Sequence, residues 1–374
     1  MTSFIELIGK ADNLHDAKPA INNRSVMLGI VISFLIFTLL CALMRLFTRI
    51  FIVKAAGWDD FFVVLVMISI SIGSIGTCVA TDHGLGEHLL KFPELQIDLS
   101  VFLKIFYICN GTLPMSTTFI KIAILLQYLR TFEKGSKSYT LTIVMIVLTS
   151  MWGIAFMFLA WVPCIPVRGY WDWSQPTIGR WGFGTQVAEH LIKAYEAHAT
   201  SNMLLDFIIF AIPLPLYFNK EANKRSRKGV LGLFLLGSVV LMLSAWRLVS
   251  LVRSRAGTYP TLDPTWYAPV PMVLAILEID VAAICASLPV FWPVLRSGIG
   301  QIFVTHEVKV EVTTEEYPRD EDLDLELAHC PGTSFSYSQP SPTADTDKLF
   351  EVPETRIFGA YMQGKTTTEV TKVG

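Results

Sequence analysis

The sequence predicts an all-α membrane protein built as a bundle of seven transmembrane helices. Seven apolar stretches of about 18–28 residues divide the chain, and roughly 20 helical residues cross a hydrocarbon core. Hydrophobic residues make up 52% of the chain and charged residues 17%, with a mean hydropathy of +0.49. These values are typical of membrane proteins rather than soluble domains. Lys and Arg, moreover, are concentrated in every second gap between the apolar stretches.

The apolar stretches divide the chain into three regions. The predicted spans are 26–44, 61–81, 101–129, 140–162, 201–218, 230–251 and 269–295. Residues 1–25 have no apolar core, so we expect an N-terminal segment and no cleavable signal peptide. The membrane domain is predicted over 26–297 and a tail over 298–374. Because 301–374 holds 14 acidic and 6 basic residues and no run that could build a core, we expect a disordered acidic tail.

The distribution of basic residues predicts the orientation. The gaps 45–60, 130–139 and 219–229 hold 11 basic residues in 37 positions, whereas the opposite flanks hold 9 in 99. Translocation disfavours Lys and Arg, so we expect these gaps to be cytoplasmic, with the N-terminus outside and the C-terminus inside. The expected location is the lipid bilayer, as a multi-pass protein of the plasma membrane. The charge pattern gives no indication of nucleic-acid binding.

Ionisable side chains lie inside several predicted spans, where they are costly unless paired. Lys121 lies in the third span, Asp206 in the fifth, Arg247 in the sixth and Glu278 in the seventh. We predict that Arg247 lies between Asp206 and Glu278, at a comparable depth in consecutive helices. The trio is interpreted either as an internal clamp or as the lining of a ligand cavity or proton relay. Asp280 follows Glu278 by two residues and points to another face.

The long predicted outer loop, 163–200, is rich in aromatic residues. They form either an interfacial belt or a lid over an outer pocket. The stretch 187–199 has helical character, and we expect it to lie on the membrane surface. Cys109 and Cys164 are both expected on the oxidising side, so they form a disulfide or remain free.

Local motifs along the membrane domain resemble a known family. They are Gly57-Trp58-Asp59-Asp60, His83-Gly84-Leu85-Gly86-Glu87-His88, the run from Lys121 to Phe132, Asp206 with Pro213-Leu214-Pro215, Leu277-Glu278 and Ala286-Ser287-Leu288-Pro289. Together they resemble the fungal rhodopsin-domain family of seven-helix membrane proteins, over about 28–297. Some members look like surface-sensing G-protein-coupled receptors of filamentous fungi.

The resemblance implies a set of family-pattern positions. These are Asp59, Asp60, Gly84, Gly86, His88, Lys121, Arg130, Cys164, Asp206, Pro213, Pro215, Arg247, Glu278 and Pro289. The family usually has a second cysteine in the long outer loop, and 179–182 has none here, so Cys164 pairs with Cys109 or stays free. The seventh span contains no Lys, so we expect no retinal cofactor. No sequence motif indicates a metal site.

Three functions fit this pattern. The first is a receptor-like sensor of an extracellular or membrane-soluble ligand that signals to a cytoplasmic partner, by analogy a G protein. The second is a membrane-embedded enzyme of the terpene-cyclase kind, with Asp206 and Glu278 as acids; the neighbouring Arg247 argues against it. The third is a proton-coupled transporter.

Overall fold

Seven long helices make up most of the chain that the structure describes. This structure is a computed structural model, and it describes residues 15, 17–91, 95–214, 224–259 and 262–298. The helices are α1 (Arg24–Phe47), α2 (Trp58–Asp82), α3 (Leu95–Thr131), α4 (Lys137–Trp161), α5 (Ala188–Ala211), α6 (Lys224–Arg253) and α7 (Pro269–Gly298). Between α4 and α5, strands β1 (Cys164–Ile165) and β2 (Gly179–Arg180) pair antiparallel. The predicted tail, most of segment 1–25 and Pro215 lie outside the described residues.

Among the described residues, six helical segments are long and apolar enough to cross a membrane. They are Arg24–Ile52, Trp58–Asp82, Leu99–Thr131, Lys137–Trp161, Phe234–Arg253 and Pro264–Val290. These segments coincide with the first four and the last two predicted spans. The chain is therefore a mostly helical membrane protein.

The fifth predicted span, 201–218, overlaps α5, which is not among the six apolar segments. The described part of this region stops at 214, so the end of the predicted span lies outside the described residues. The predicted helical character of 187–199 is confirmed, and its position on the membrane surface stays a prediction. Residues 188–199 form the first half of α5 and continue without a break into the apolar second half. Polar residues such as Glu189 and Lys193 therefore share one helix with Asp206.

Local sequence signals explain where α2 and α4 begin. The backbone N–H of Gly57 donates to Asp60 Oδ2 at 3.0 Å, which caps the first turn of α2. At α4, Ser136 Oγ accepts from the backbone N–H of Tyr139 at 3.1 Å. Two acidic residues in the first turn of α2, Asp59 and Asp60, also face the positive end of the helix dipole.

The helices pack in an order that places α3 and α7 at the centre. α1 packs against α2 and α7, α2 against α3, α3 against α4, α5 against α6, and α6 against α7. In the most apolar part of each span, the buried share of residues is 67% for α3 and for α7, but only 22% for α4 and 28% for α1. Large apolar side chains on the outer helices, such as Ile36 and Met151, are exposed. Exposed apolar surface on this scale is stable in lipid and not in water.

Candidate ligand cavity and buried charge networks

A cavity of about 60 Å³ lies between α2, α3 and α7. Most of the side chains that line it from α2 and α3 are small or polar, apart from Ile70, Phe106 and Leu113, and those from α7 are apolar. The lining includes Ser69, Ser74, Thr77, Cys109, Asn110, Thr112, Ser116 and Ile279. On α2, Ser69, Gly73 and Thr77 recur every four residues and so share one face. Their small size leaves the space open. A cavity of this volume holds a few water molecules or a small polar group of a ligand.

Most hydroxyl groups of the cavity wall are hydrogen-bonded within the bundle, and one is not. Ser116 Oγ donates to Ser69 Oγ at 2.7 Å, and Ser69 Oγ donates to the Thr112 carbonyl at 3.2 Å. Ser74 Oγ is buried and has no hydrogen-bond partner among the described residues. Because a buried polar group without a partner is costly, Ser74 is the group in this wall most available to water or a ligand.

Asn110 connects the cavity to the aromatic loop that follows α4. Tyr195 Oη, on α5, donates to Asn110 Oδ1 at 3.1 Å, and Asn110 Nδ2 donates to Tyr170 Oη at 3.5 Å. Tyr170 is buried, and burial raises the pKa of its phenol above the ordinary value. Phe183 of the same loop also packs inward, against Tyr195. Part of the aromatic loop is therefore anchored on the bundle.

The two cysteines that were candidates for a disulfide are both free thiols in the structure. Cys109 Sγ points to α2, where it donates to the Gly73 carbonyl at 3.8 Å. Cys164 Sγ donates within its own loop to the Pro166 carbonyl at 3.3 Å, and burial raises the pKa of this thiol. The two thiols therefore contact different parts of the fold.

Lys121 and Asp206 form an ion pair between α3 and α5, with Nζ and Oδ1 2.5 Å apart. This geometry differs from the predicted trio, in which Asp206 was assigned to Arg247. Lys121 is buried and the side chain of Asp206 is only 13% exposed, so each supplies the counter-ion that the other requires. The pair of Lys121 with Asp206 was not predicted from the sequence, because Asp206 was assigned to Arg247.

Arg247 and Glu278 form a second ion pair, between α6 and α7. Arg247 Nε donates to Glu278 Oε2 at 2.9 Å, and both side chains are buried. Asn202 on α5 joins the two pairs, since its Nδ2 donates to Glu278 Oε1 at 2.6 Å and to Asp206 Oδ2 at 3.0 Å. These five residues, called here the mid-bundle network, carry two positive and two negative charges. Charge is therefore balanced across four helices.

A second charge network lies where α1 ends and α2 begins, and is called here the α1–α2 network. Arg45 Nη2 donates to Asp59 Oδ2 at 2.6 Å, and Arg45 Nε donates to Asp60 Oδ1 at 3.0 Å. Arg49 lies one turn beyond Arg45, in the helical segment Thr48–Ile52 that follows α1, and also donates to Asp59, at 3.3 Å. All four side chains are buried. In the sequence, Arg45 and Arg49 belong to a basic gap that predicts the orientation of the protein. In the structure they also hold two helices together.

The α1–α2 network extends to α3 and α7. Arg130 Nη1, near the end of α3, donates to Asp59 Oδ1 at 2.8 Å. Arg45 Nη1 donates to Gln127 Oε1 at 3.0 Å and to the Ala286 carbonyl of α7 at 2.5 Å. The structure thus brings the family-pattern residues Asp59, Asp60 and Arg130 into one cluster. Sequence reasoning missed the part of Arg45, although its spacing of four from Arg49 was a signal.

Two of the three family-pattern residues in the loop after α2, Gly86 and His88, contact the turn that precedes α7, and the third, Gly84, has φ +92° within that loop. His88 Nδ1 lies 2.8 Å from Asp263 Oδ2, and the His88 ring stacks on Trp266 with centroids 3.7 Å apart. Gly86 has φ +95°, and a Cβ there would lie 2.6 Å from the Asn22 carbonyl oxygen. Glycine is therefore required for this close approach.

Two prolines of the family pattern lie at helix positions away from these clusters. Pro213 follows the last residue of α5 by two positions, and Pro289 lies within the second half of α7. Proline removes a backbone N–H donor, so it is tolerated at the end of α5 and weakens the helical hydrogen-bond ladder within α7.

A family model, described as the fungal rhodopsin domain, matches residues 44–297. The chain belongs to the fungal rhodopsin-domain family. The match begins at the end of α1 and includes all the charged residues of the mid-bundle network and the α1–α2 network. The resemblance seen in the sequence motifs is confirmed.

Three curated relatives are similar to this family member at low identity. The "Polyenoic acids biosynthesis gene cluster protein Ba17b" of Metarhizium anisopliae is 22% identical over 69% of this chain and 70% of its own length. The "Fugralins biosynthesis cluster protein 2" of Gibberella zeae is 23% identical over 71% of this chain, which spans 63% of that relative. The "Satratoxin biosynthesis SC1 cluster protein 4" of Stachybotrys chartarum is 22% identical over 52% of this chain and 66% of its own length. No solved structure matches.

The two ion pairs of the mid-bundle network predict different rescues of one variant. Arg247→Met leaves Glu278 buried without its counter-ion, and we expect a loss of about 3–5 kcal/mol in stability. Adding Glu278→Gln should restore most of it, whereas adding Asp206→Asn should not, because Asp206 pairs with Lys121. Membrane levels and thermal unfolding of the detergent-solubilised protein measure this. Equal rescue by both second substitutions would support the original trio and contradict the two pairs.

Proposed function

We propose that this chain is a receptor-like protein with seven transmembrane helices, which senses a small ligand and signals to the cytoplasm. In this proposal α5 is the fifth span and 26–297 is the membrane domain. The N-terminus lies outside, and the tail 298–374 lies in the cytoplasm. The observation that carries the proposal is the cavity between α2, α3 and α7, which Asn110 connects to the loop predicted to be outside.

The chemistry of the cavity favours an uncharged ligand. Its wall offers hydroxyl groups, the Asn110 amide and apolar side chains. Lys121 and Glu278, charged residues of the central helices α3 and α7, are already ion-paired. A mainly apolar small molecule with one or two hydroxyl or carbonyl groups fits such a wall. The names of the three relatives refer to fungal biosynthesis clusters, which supports a small molecule of fungal biosynthesis as the ligand class.

The route from the cavity to the cytoplasm follows the helices that line it. α2, α3 and α7 form the cavity, and the same three helices meet α1 in the α1–α2 network. A ligand that binds one packing of these helices more tightly than another shifts the population toward that packing. The end of the bundle around Asp59 and Arg130 would then present a different surface to a cytoplasmic partner, by analogy a G protein.

The enzyme alternative is not favoured. A general acid must hold a proton that it can donate, and Asp206 and Glu278 each lie within 3.0 Å of a basic side chain. Each carboxylate also accepts a hydrogen bond from Asn202, so both are already engaged within the bundle. We therefore assign both carboxylates a role in holding the helices and the binding site.

The proposed orientation predicts which end of the chain is accessible from outside the cell. A protease-cleavable tag placed before Met1 should be removed from intact cells, and one placed after Gly374 should be protected until the cells are permeabilised. The basis is the excess of Lys and Arg in the gaps assigned to the cytoplasm. Cleavage of the C-terminal tag in intact cells would contradict the orientation.

The proposed ligand site predicts selective loss of binding when the cavity is filled. Ser74→Val places an apolar group in the cavity wall, whereas Ser71→Val changes a serine of α2 outside that wall. The measurement is the thermal unfolding of the purified protein with a panel of uncharged, apolar fungal metabolites carrying hydroxyl or carbonyl groups. A ligand that binds the folded state raises the unfolding temperature.

At least one compound should stabilise the wild type and Ser71→Val clearly more than Ser74→Val. If no compound stabilises the wild type, or if all three proteins respond equally, the cavity is not the binding site for this class of ligand.

A further inference from the structure

Asp280, on α7, is a buried carboxyl group that neither charge network includes. Its side chain is 0% exposed, and neither carboxyl oxygen has a hydrogen-bond partner among the described residues. Glu278, two residues earlier on the same helix, is also buried but is ion-paired with Arg247. Of these two acidic residues on one helix, Glu278 therefore has a counter-ion, whereas Asp280 has none among the described residues.

The polar group that faces Asp280 is the hydroxyl of Thr38 on α1. Thr38 is buried, and its Oγ1 makes no hydrogen bond of normal geometry. The hydroxyls of Thr77 and Thr142, in two other spans, donate to the carbonyl one turn back in their own helix, which the hydroxyl of Thr38 does not. Thr38 is thus turned away from its own backbone, toward α7.

The buried cations of the segments packed against α7 are paired with other acids. Arg45 on α1 and Arg49 just after it bind the acidic residues at the start of α2; on α3, Lys121 binds Asp206; and on α6, Arg247 binds Glu278. The titratable neighbour of α7 on the α1 side is the thiol of Cys41, which packs against Ile284 one turn beyond Asp280. Among the described residues, no cation is therefore shown next to Asp280.

We infer that Asp280 is a proton-binding site, held as the neutral carboxylic acid at the contact between α1 and α7. An ionised carboxylate without a partner costs far more at this depth than the neutral acid does. The acid can donate its proton toward Thr38 Oγ1, which has free lone pairs. A hard metal cation such as Ca²⁺ takes six or more oxygen ligands, and the described residues hold no group of three or more His, Cys, Asp or Glu that could bind a metal, so a proton fits better.

Release of this proton requires that α1 and α7 separate enough to admit water, because the resulting carboxylate must be solvated. The residue next to Asp280, Ile279, lines the cavity, and Ala286 of the same helix accepts a hydrogen bond from Arg45. Protonation of Asp280 is therefore coupled to the packing of α1 on α7. This inference does not depend on the proposed ligand, since it concerns a different face of α7.

Infrared spectroscopy of the full-length protein in lipid nanodiscs at pH 7 tests the inference directly. A protonated carboxylic acid has its own carbonyl stretch, distinct from the bands of a carboxylate. Asp280→Asn should remove one such acid band from the wild-type spectrum. The matched control, Glu278→Gln, should remove carboxylate signal and leave the acid band in place. Thr38→Val should keep the band and shift its frequency, because the acid loses its polar neighbour.

Thermal unfolding at pH 7 provides a second readout. Asp280→Asn should unfold at or above the wild-type temperature, because an amide replaces an acid that is already neutral. Glu278→Gln should unfold at a lower temperature, because it leaves Arg247 without its counter-ion. An unchanged acid band in Asp280→Asn would overturn the inference. So would destabilisation of Asp280→Asn equal to that of Glu278→Gln, or its failure to accumulate, because an amide that replaces a neutral acid of the same shape leaves no charge unpaired.

Discussion

The pairing of buried charges across helices is the constraint on which the rest of this structure depends. An Arg, Lys, Asp or Glu inside a bilayer is costly unless an opposite charge lies within hydrogen-bond distance. The structure meets this requirement with partners on different helices: Lys121 on α3 with Asp206 on α5, and Arg247 on α6 with Glu278 on α7. Each pair therefore specifies which helices are neighbours, which apolar contacts alone specify weakly in lipid.

The two networks lie along the helices that form the cavity. α3 and α7 each contribute to the mid-bundle network, to the cavity wall and to the α1–α2 network. A change in the cavity that moves α3 relative to α7 must therefore keep or exchange these ion pairs. That requirement favours a few discrete packings over a continuous range, which is the property that a switching membrane protein needs.

The helices were well predicted from the sequence, because the apolar length that crosses a bilayer is a local property. Six of the predicted spans coincide with apolar helices, and α5 covers the described part of the other. The partners of the buried charges were not well predicted from the sequence. Depth along a helix was estimated from residue numbers, but α3 has 37 residues and is longer than a bilayer requires, so its residue numbers do not fix the depth of Lys121.

The α1–α2 network was missed for a different reason. Arg45 and Arg49 follow an apolar stretch, and such basic residues usually lie at the membrane surface. Only the close return of the chain through Gly57 brings Asp59 and Asp60 back onto α1 and buries all four side chains. Likewise, the contact of His88 with Asp263 joins two loops that are 175 residues apart in sequence, which no local pattern reveals.

The most direct test of the account compares two arginines of α1. Arg45 is fully buried and bound to Asp59 and Asp60, whereas the side chain of Arg24 is 61% exposed and pairs with Asp82 at the surface. If buried charge pairing holds the bundle together, Arg45→Met should cost about 3–5 kcal/mol and strongly reduce membrane levels, because two buried carboxylates lose a counter-ion. Arg24→Met should cost less than about 1 kcal/mol. Equal thermal unfolding of the two variants would contradict the account.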